Sequence, residues 1–291
     1  MGWNMDNGTT FRWRLRMDKK DADAFCGWVR ASLGLEPACW EEEGDPEADV
    51  DVYFTSVEEA EAARGRVGEF GGRVHDGGLE PLGTEAWTGF WKYHFRSMAV
   101  GRTLQTVPVW EDAPANGRIV LRIDPGLSFG TGGHFTTRFC LEALEEAVAA
   151  LRPRSMLDAG AGSGILAIAA VKLGVGEVAG FDFDPVAVER CGANAELNGV
   201  GEGRIRFWQQ DVRDWKPAAV WDVVCANILS SVLVGAASAL WNATGRRLVL
   251  SGIREIEGEE VAAAFVRLGA RIARRDGDGE WCGLVLERMQ D

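Results

Sequence analysis

Histidine is scarce in this chain, and its three copies, His75, His94 and His134, are too scattered to read as a zinc site. Positive charge is also in deficit: 31 Lys and Arg face 44 Asp and Glu, a net charge of −13. That balance argues against broad nucleic-acid binding, which needs a basic face, and favours a basic protein partner through electrostatic steering. No apolar run reaches the ~18 residues that a membrane span requires, so no membrane association is expected. The N-terminus lacks the apolar core of a signal peptide. Six cysteines (26, 39, 140, 191, 225 and 282) show neither paired nor metal-ligand spacing. They read as reduced thiols of a cytoplasmic protein, and no metal is expected. What remains is 291 residues with 46% hydrophobic content, enough for one large or two medium soluble domains.

The most informative stretch is Asp158-Ala-Gly-Ala-Gly-Ser-Gly164. Ser155–Leu157 before it reads as a buried strand, and Ile165–Leu173 after it as a helix. The three glycines, Gly160, Gly162 and Gly164, let the backbone turn sharply and approach a ligand closely. Strand, glycine loop and helix together form a grip for a nucleotide-like cofactor. A second strand, Glu177–Asp182, ends in an acid 22 positions after Gly160. Such an acid is placed to accept hydrogen bonds from ribose hydroxyls. Asp184 and Pro185 suit the N-cap and first turn of the next helix, which sets Asp182 at a strand's carboxyl end. Asp158 decides between cofactors. A carboxylate before the loop would repel a pyrophosphate but suits a cation, such as the amino-acid end of S-adenosylmethionine.

The first 75 residues read as a separate small domain. Phe11, Trp13, Leu15 and Met17 alternate with Arg12, Arg14 and Arg16, the pattern of a half-buried strand. A helix over Ala22–Leu33, a strand near Cys39–Glu42, a strand over Ala48–Phe54 and a capped helix opening at Ser56 follow. The order β-α-β-β-α-β predicts a ferredoxin-like α+β module, read as a substrate-recognition domain. Positions 76–100 are expected to form a linker helix carrying Trp87, Trp91, Tyr93 and Phe95. Residues 101–291 would be the catalytic domain, opening with a hairpin of Arg102–Trp110 and Gly117–Arg122. Asp124–Thr137 is too glycine-rich for a strand and too apolar for a linker, so an ordered loop near the cofactor is expected. Thr136 and Thr137 suit the N-cap of the helix that follows. Trp221–Leu229 is an apolar strand ending in Asn227, whose amide offers donor and acceptor beside the cofactor. Asp211 either reaches the adenine amino group or caps the turn Asp211–Asp214. Arg271–Arg275, a turn, and Trp281–Leu286 read as a terminal β-hairpin.

That hairpin on an alternating β/α chain resembles class I methyltransferases, with a Rossmann-like, mostly parallel seven-stranded sheet. In finer detail the chain resembles the ribosomal protein L11 methyltransferase family (PrmA) along its full length. The carrying segments are Asp124–Thr137, Gly160–Ala170, Phe181–Pro185, Ala226–Leu229, Leu250–Ile253 and Glu280–Cys282. The resemblance implies methyl transfer from S-adenosylmethionine to lysine ε-amines of ribosomal protein L11, with the N-terminal α-amine a further acceptor. It places cofactor contacts at Thr137, Gly160, Asp182 and Asn227, and a transfer site lined by Phe129, Gly130 and Thr131; Asn227 with the Phe129–Thr131 carbonyls is expected to position the amine. The loop departs from the family at Gly133 (usually threonine) and Phe135 (usually proline), and Ala161 replaces a cysteine. No strong general base stands out; His134 and Asp124 are the nearest candidates. Two alternatives stay open: a lysine methyltransferase with another protein substrate, and a non-catalytic S-adenosylmethionine-binding relative.

Overall fold

A computed structural model describes residues 10–35, 37–41, 45–54, 56–82, 96–124, 134–201 and 203–288. The chain divides into two compact units, Met1–Tyr93 and His94–Asp291.

The first unit runs β1 (Thr10–Asp18), α1 (Lys19–Leu33), β2 (Ala38–Glu41), β3 (Glu47–Phe54), α2 (Val57–Gly65) and β4 (His75–Leu82). Its sheet has the order β2-β3-β1-β4 with every neighbour antiparallel, the split β-α-β topology. The alternation in β1 fixes which side faces the helices. Phe11, Trp13, Leu15 and Met17 are buried in one core with Phe25 and Val29 of α1. The arginines between them lie on the opposite face, where Arg12 meets Asp51 at 3.3 Å and Arg16 meets Glu47 at 2.8 Å. Ser56 caps α2 by accepting from the Glu59 N–H at 3.2 Å.

The expected linker helix over 76–100 is corrected. His75–Leu82 is a strand, because the second edge of β1 needs backbone partners and β4 supplies them. Met98–Val100 is also a strand, β5. The aromatics at 87, 91, 93 and 95 lie outside the described residues.

In the second unit, β5, β6 (Leu104–Pro108) and β7 (Ile119–Ile123) form a small sheet. The hairpin expected from 102–122 is not what forms. The strands β6 and β7 run parallel, and β5 is the antiparallel partner of β6. Every residue of β6 is buried, so it takes a partner on both edges. The large sheet uses β8 (Ser155–Ala159), β9 (Glu177–Asp182), β10 (Ile205–Gln209), β11 (Trp221–Asn227), β12 (Thr244–Arg254), β13 (Arg271–Gly277) and β14 (Trp281–Glu287). Its order is β10-β9-β8-β11-β12-β14-β13, and β14 alone runs antiparallel to its neighbours. The helices are α3 (Phe135–Leu151), α4 (Ile165–Lys172), α5 (Pro185–Leu197), α6 (Ser230–Gly235), α7 (Ala237–Ala243) and α8 (Gly258–Val266).

The two-residue period of the strands divides the interior into two layers. Met156, Val223, Cys225, Val249 and Val285 join the core beneath α3 and α4. Their neighbours Leu157, Val224, Leu248 and Leu284 join the core beneath α6, α7 and α8. By the same alternation Asp158 belongs to the face that carries Met156, so a carboxylate is set into an apolar layer.

Candidate active site

The site is built at the carboxyl ends of four neighbouring strands. The order of connection reverses between β8 and β11, which opens a crevice where α/β sheets of this kind bind ligands. Asp158, the glycine loop, Asp182, Asp211 and Asn227 all stand at these strand ends. Sequence distance separates them; the parallel sheet brings them into one row.

The loop is held from below by the next strand. The N–H groups of Gly160 and Ala161 donate to the Phe181 carbonyl at 2.8 and 2.9 Å. Gly160 has φ +80°, and a Cβ there would run into Ile228 Cγ2. Gly164, also in the left-handed region at φ +78°, is the N-cap of α4 and offers no side chain to cap it. Asp182 stitches the loop to its own strand: Oδ2 accepts from the Gly162 N–H at 2.9 Å and Oδ1 from the Asp184 N–H at 3.0 Å. A carboxylate has about four lone-pair positions, so acceptor capacity is left over. Asp184 caps α5 through the Val186 N–H at 2.9 Å, with Pro185 in the first turn.

Asp158 is fully buried. Its Oδ2 accepts from the Ala167 N–H at 3.2 Å, while Oδ1 has no hydrogen-bond partner among the described residues. Burial pushes its carboxyl up to about 7; the Ala167 N–H pulls the other way, and the nearby Asp182 charge adds to the rise. A half-satisfied buried carboxylate is costly unless a ligand donor or cation completes it. The thiols around it are inert, since burial pushes Cys140, Cys191 and Cys225 up and keeps them protonated.

The opposite wall comes from the start of α3. The helix is capped by His134 rather than by Thr136 or Thr137: the His134 Nδ1 accepts from the Thr136 N–H at 3.4 Å. Both threonines lie in the first turn, which turns their hydroxyls toward Asn227. The Asn227 Nδ2 sits 3.4 Å from Thr136 Oγ1 and 3.5 Å from Thr137 Oγ1, long contacts that a ligand could replace. His134 is further fixed edge-on against Trp281 at 5.1 Å between ring centroids. A ring nitrogen committed to a helix cap is poorly suited to taking a substrate proton.

Asp211 realises the turn reading. It accepts from the Arg213 N–H at 2.9 Å, and both its oxygens pair with the Arg213 guanidinium. Phe129, Gly130, Thr131 and Gly133 lie outside the described residues.

Sequence reasoning missed two groups. Gly252 has φ +75°, and a Cβ there would sit 2.6 Å from the Ile228 carbonyl, so only glycine lets β12 leave beside the Asn227–Ile228 bend. Asn194 places an amide on the buried face of α5, and Asn198 places another just past its end. Their signal was present, since polar residues four apart fell among Ala187, Cys191 and Ala195 on one helical stripe.

A seven-stranded sheet with one antiparallel strand, and a glycine loop facing an acid at the next strand end, define the class I methyltransferase fold. The family model for "Ribosomal protein L11 methyltransferase (PrmA)" matches residues 28–289. The chain is 40% identical over 260 residues to the ribosomal protein L11 methyltransferase of Pelobacter propionicus, covering 82% of this chain and 81% of that protein. It is 36% identical over 273 residues to the one from Chloroflexus aurantiacus, covering 82% of each. The crystal structure of ribosomal protein L11 methylase from Lactobacillus delbrueckii subsp. bulgaricus superimposes with a TM-score of 0.59 at 30% identity, over 67% of this chain and 100% of that one. The chain belongs to the ribosomal protein L11 methyltransferase family.

Proposed function

We propose that this chain transfers methyl groups from S-adenosylmethionine to lysine ε-amines of ribosomal protein L11 in the cytoplasm, with the N-terminal α-amine a further acceptor. The carrying observation is the buried Asp158, one oxygen without a hydrogen-bond partner among the described residues, behind a glycine loop at a sheet switch point in a chain of this family. That donor set fits the group. A cationic amino-acid end complements Asp158, ribose hydroxyls complement the spare acceptor capacity of Asp182, and the loop over Gly160, Gly162 and Gly164 admits close approach. Thr137 and Asn227 face the same cleft. Asp211 contributes only by sharing its carboxylate with Arg213. Among the described residues no helix is long and apolar enough to cross a membrane.

When bound, S-adenosylmethionine supplies an activated methyl on a good leaving group; the protein supplies binding and orientation. The acceptor amine has an ordinary pKa of about 10.4, and only its neutral form attacks. Desolvation in the cleft favours that neutral form. Asn227 orients the amine through its side-chain carbonyl, with Phe129 and Thr131 completing the transfer site and the proton passing to water. With His134 engaged as a cap, alignment rather than a strong base carries the rate. The unit Met1–Tyr93 is the substrate-recognition module.

Intact-mass spectrometry of unmodified ribosomal protein L11 after incubation with the protein and S-adenosylmethionine tests this reading. A ladder of methyl additions is expected. No addition with the cofactor still bound would point to another protein substrate, and no cofactor binding would make the chain a non-catalytic relative.

A further inference from the structure

One edge of β7 pairs with β6. Its other edge meets two side-chain amides, one in α5 and one at the residue just past its end. Asn198 Oδ1 accepts from the Arg122 N–H at 2.9 Å, and its Nδ2 donates to the Arg122 carbonyl at 2.6 Å. Both backbone groups of one residue are thus satisfied by a single amide, as a neighbouring strand would satisfy them. One turn earlier, Asn194 does the same for Asp124. Its Oδ1 accepts from the Asp124 N–H at 2.9 Å, and its Nδ2 lies 3.4 Å from the Asp124 carbonyl. Asn194 has a second attachment that Asn198 lacks: the same Nδ2 donates to the Ser163 carbonyl of the glycine loop at 2.9 Å. Asn194 is fully buried, and its bond to the Ser163 carbonyl is shielded from water.

Asp124 begins the glycine-rich segment whose far end, His134–Thr137, stands beside Asn227. Ser163 directly precedes Gly164, the N-cap of α4. A single side chain therefore ties Asp124 to the cofactor loop. The stripe on α5 reinforces the tie, since Cys191 Sγ lies 3.4 Å from the Gly162 carbonyl.

We infer that Asn194 is a positioning residue for methyl transfer, tying the Asp124 backbone to the glycine loop that holds the cofactor. The inference rests on the methyltransferase reading above. Asn198 is its internal control, because its amide bonds the Arg122 backbone and the Asn194 carbonyl without touching the glycine loop. Removing the Asn194 amide strands the Ser163 carbonyl in a buried place and frees the Asp124 N–H from the glycine loop.

The experiment compares Asn194→Ala and Asn198→Ala by thermal unfolding, calorimetry with S-adenosylhomocysteine, and steady-state methylation of ribosomal protein L11. Both substitutions should lower Tm. Only Asn194→Ala should raise the Kd for S-adenosylhomocysteine and lower kcat, each about tenfold, while KM for the protein substrate stays within about twofold. An Asn194→Ala enzyme that loses Tm yet keeps Kd and kcat would overturn the inference, as would equal kinetic losses in Asn198→Ala. Hydrogen exchange on the unaltered protein gives a readout that survives a folding failure. Adding S-adenosylhomocysteine should slow exchange at the Asp124 amide together with Gly162 and Gly164; slowing at the loop alone would overturn the coupling. If the unaltered protein neither binds S-adenosylhomocysteine nor methylates its substrate, the functional reading itself fails, a different result from an indifferent Asn194→Ala.

Discussion

Asp158 and Asn227 stand at the ends of neighbouring strands in the candidate site, and each makes a separable prediction. The folded Asp158 titrates near 7 against an ordinary 3.8 because burial disfavours its charge. The sign follows from linkage. The folded state holds the proton more tightly, so this group's contribution to stability is full below the ordinary value and is lost as pH rises through the folded one. Asp158→Asn should therefore gain Tm relative to the unaltered protein on going from about pH 5 to about pH 8. The same substitution should abolish a rise in cofactor affinity across that range, since a cationic ligand selects the ionised carboxylate. Calorimetry at several pH values checks both; a parallel pH profile in the two proteins would remove Asp158 from the cofactor site. Asn227→Ala should leave cofactor binding within about threefold but lower kcat about 100-fold, the cost of misaligned reactants. Unchanged turnover would show that the amine is oriented by other groups.

The secondary-structure elements matter through their junctions. Asn227 and Ile228 turn away from β11 across two glycines, Gly160 on one side and Gly252 on the other. Neither position tolerates a Cβ: one would meet the Ile228 side chain and the other the Ile228 carbonyl. Gly252→Ala adds left-handed strain of roughly 1–2 kcal/mol to that clash, so it should lower Tm and displace Asn227. Methyl transfer should fall while the Kd for S-adenosylhomocysteine changes less, which separates a shifted Asn227 from a damaged glycine loop. The helices show a similar division of labour. The start of α3 is capped by His134, whose Nδ1 also lies 2.9 Å from the Thr136 hydroxyl, whereas α4 carries no cap from its N-cap residue and leaves its first N–H groups to the loop and Asp158.

For the molecule as a whole, charge and the two units set the expectations. With a net charge of −13, association with a basic substrate should be steered at low salt and weaken as ionic strength rises. KM for ribosomal protein L11 should increase from about 50 mM to about 300 mM salt while the Kd for the cofactor, whose proposed partner Asp158 is buried, moves little. A KM insensitive to salt would mean that apolar contacts dominate recognition. Each unit also has its own core, the first around Trp13 and Phe25 and the second in two layers about the large sheet. Residues 94–291 alone should then bind S-adenosylhomocysteine nearly as the full chain does, and methylate its protein substrate poorly. Full activity of that fragment would refute a recognition role for the first unit.

Much of the site was legible in the chain because local rules write it. The glycine loop, the acid ending β9, the Asp184–Pro185 helix start and the terminal hairpin each depend on residues within a few positions of one another. The ferredoxin-like order was equally readable from alternation in β1 and the cap at Ser56. Elsewhere local pattern misled. A helix across Asp76–Leu82 gave way to a strand because β1 had a second edge to fill, and β6 joined β7 in parallel because β6 is buried between two partners. The cap of α3 passed from the threonines to His134. Such outcomes turn on which distant backbone groups lack a partner, and no window of sequence contains that information. Asn194 is the plainest case: an unremarkable amide in a helix, whose partners lie 70 and 31 positions away and meet it only once the sheet has closed.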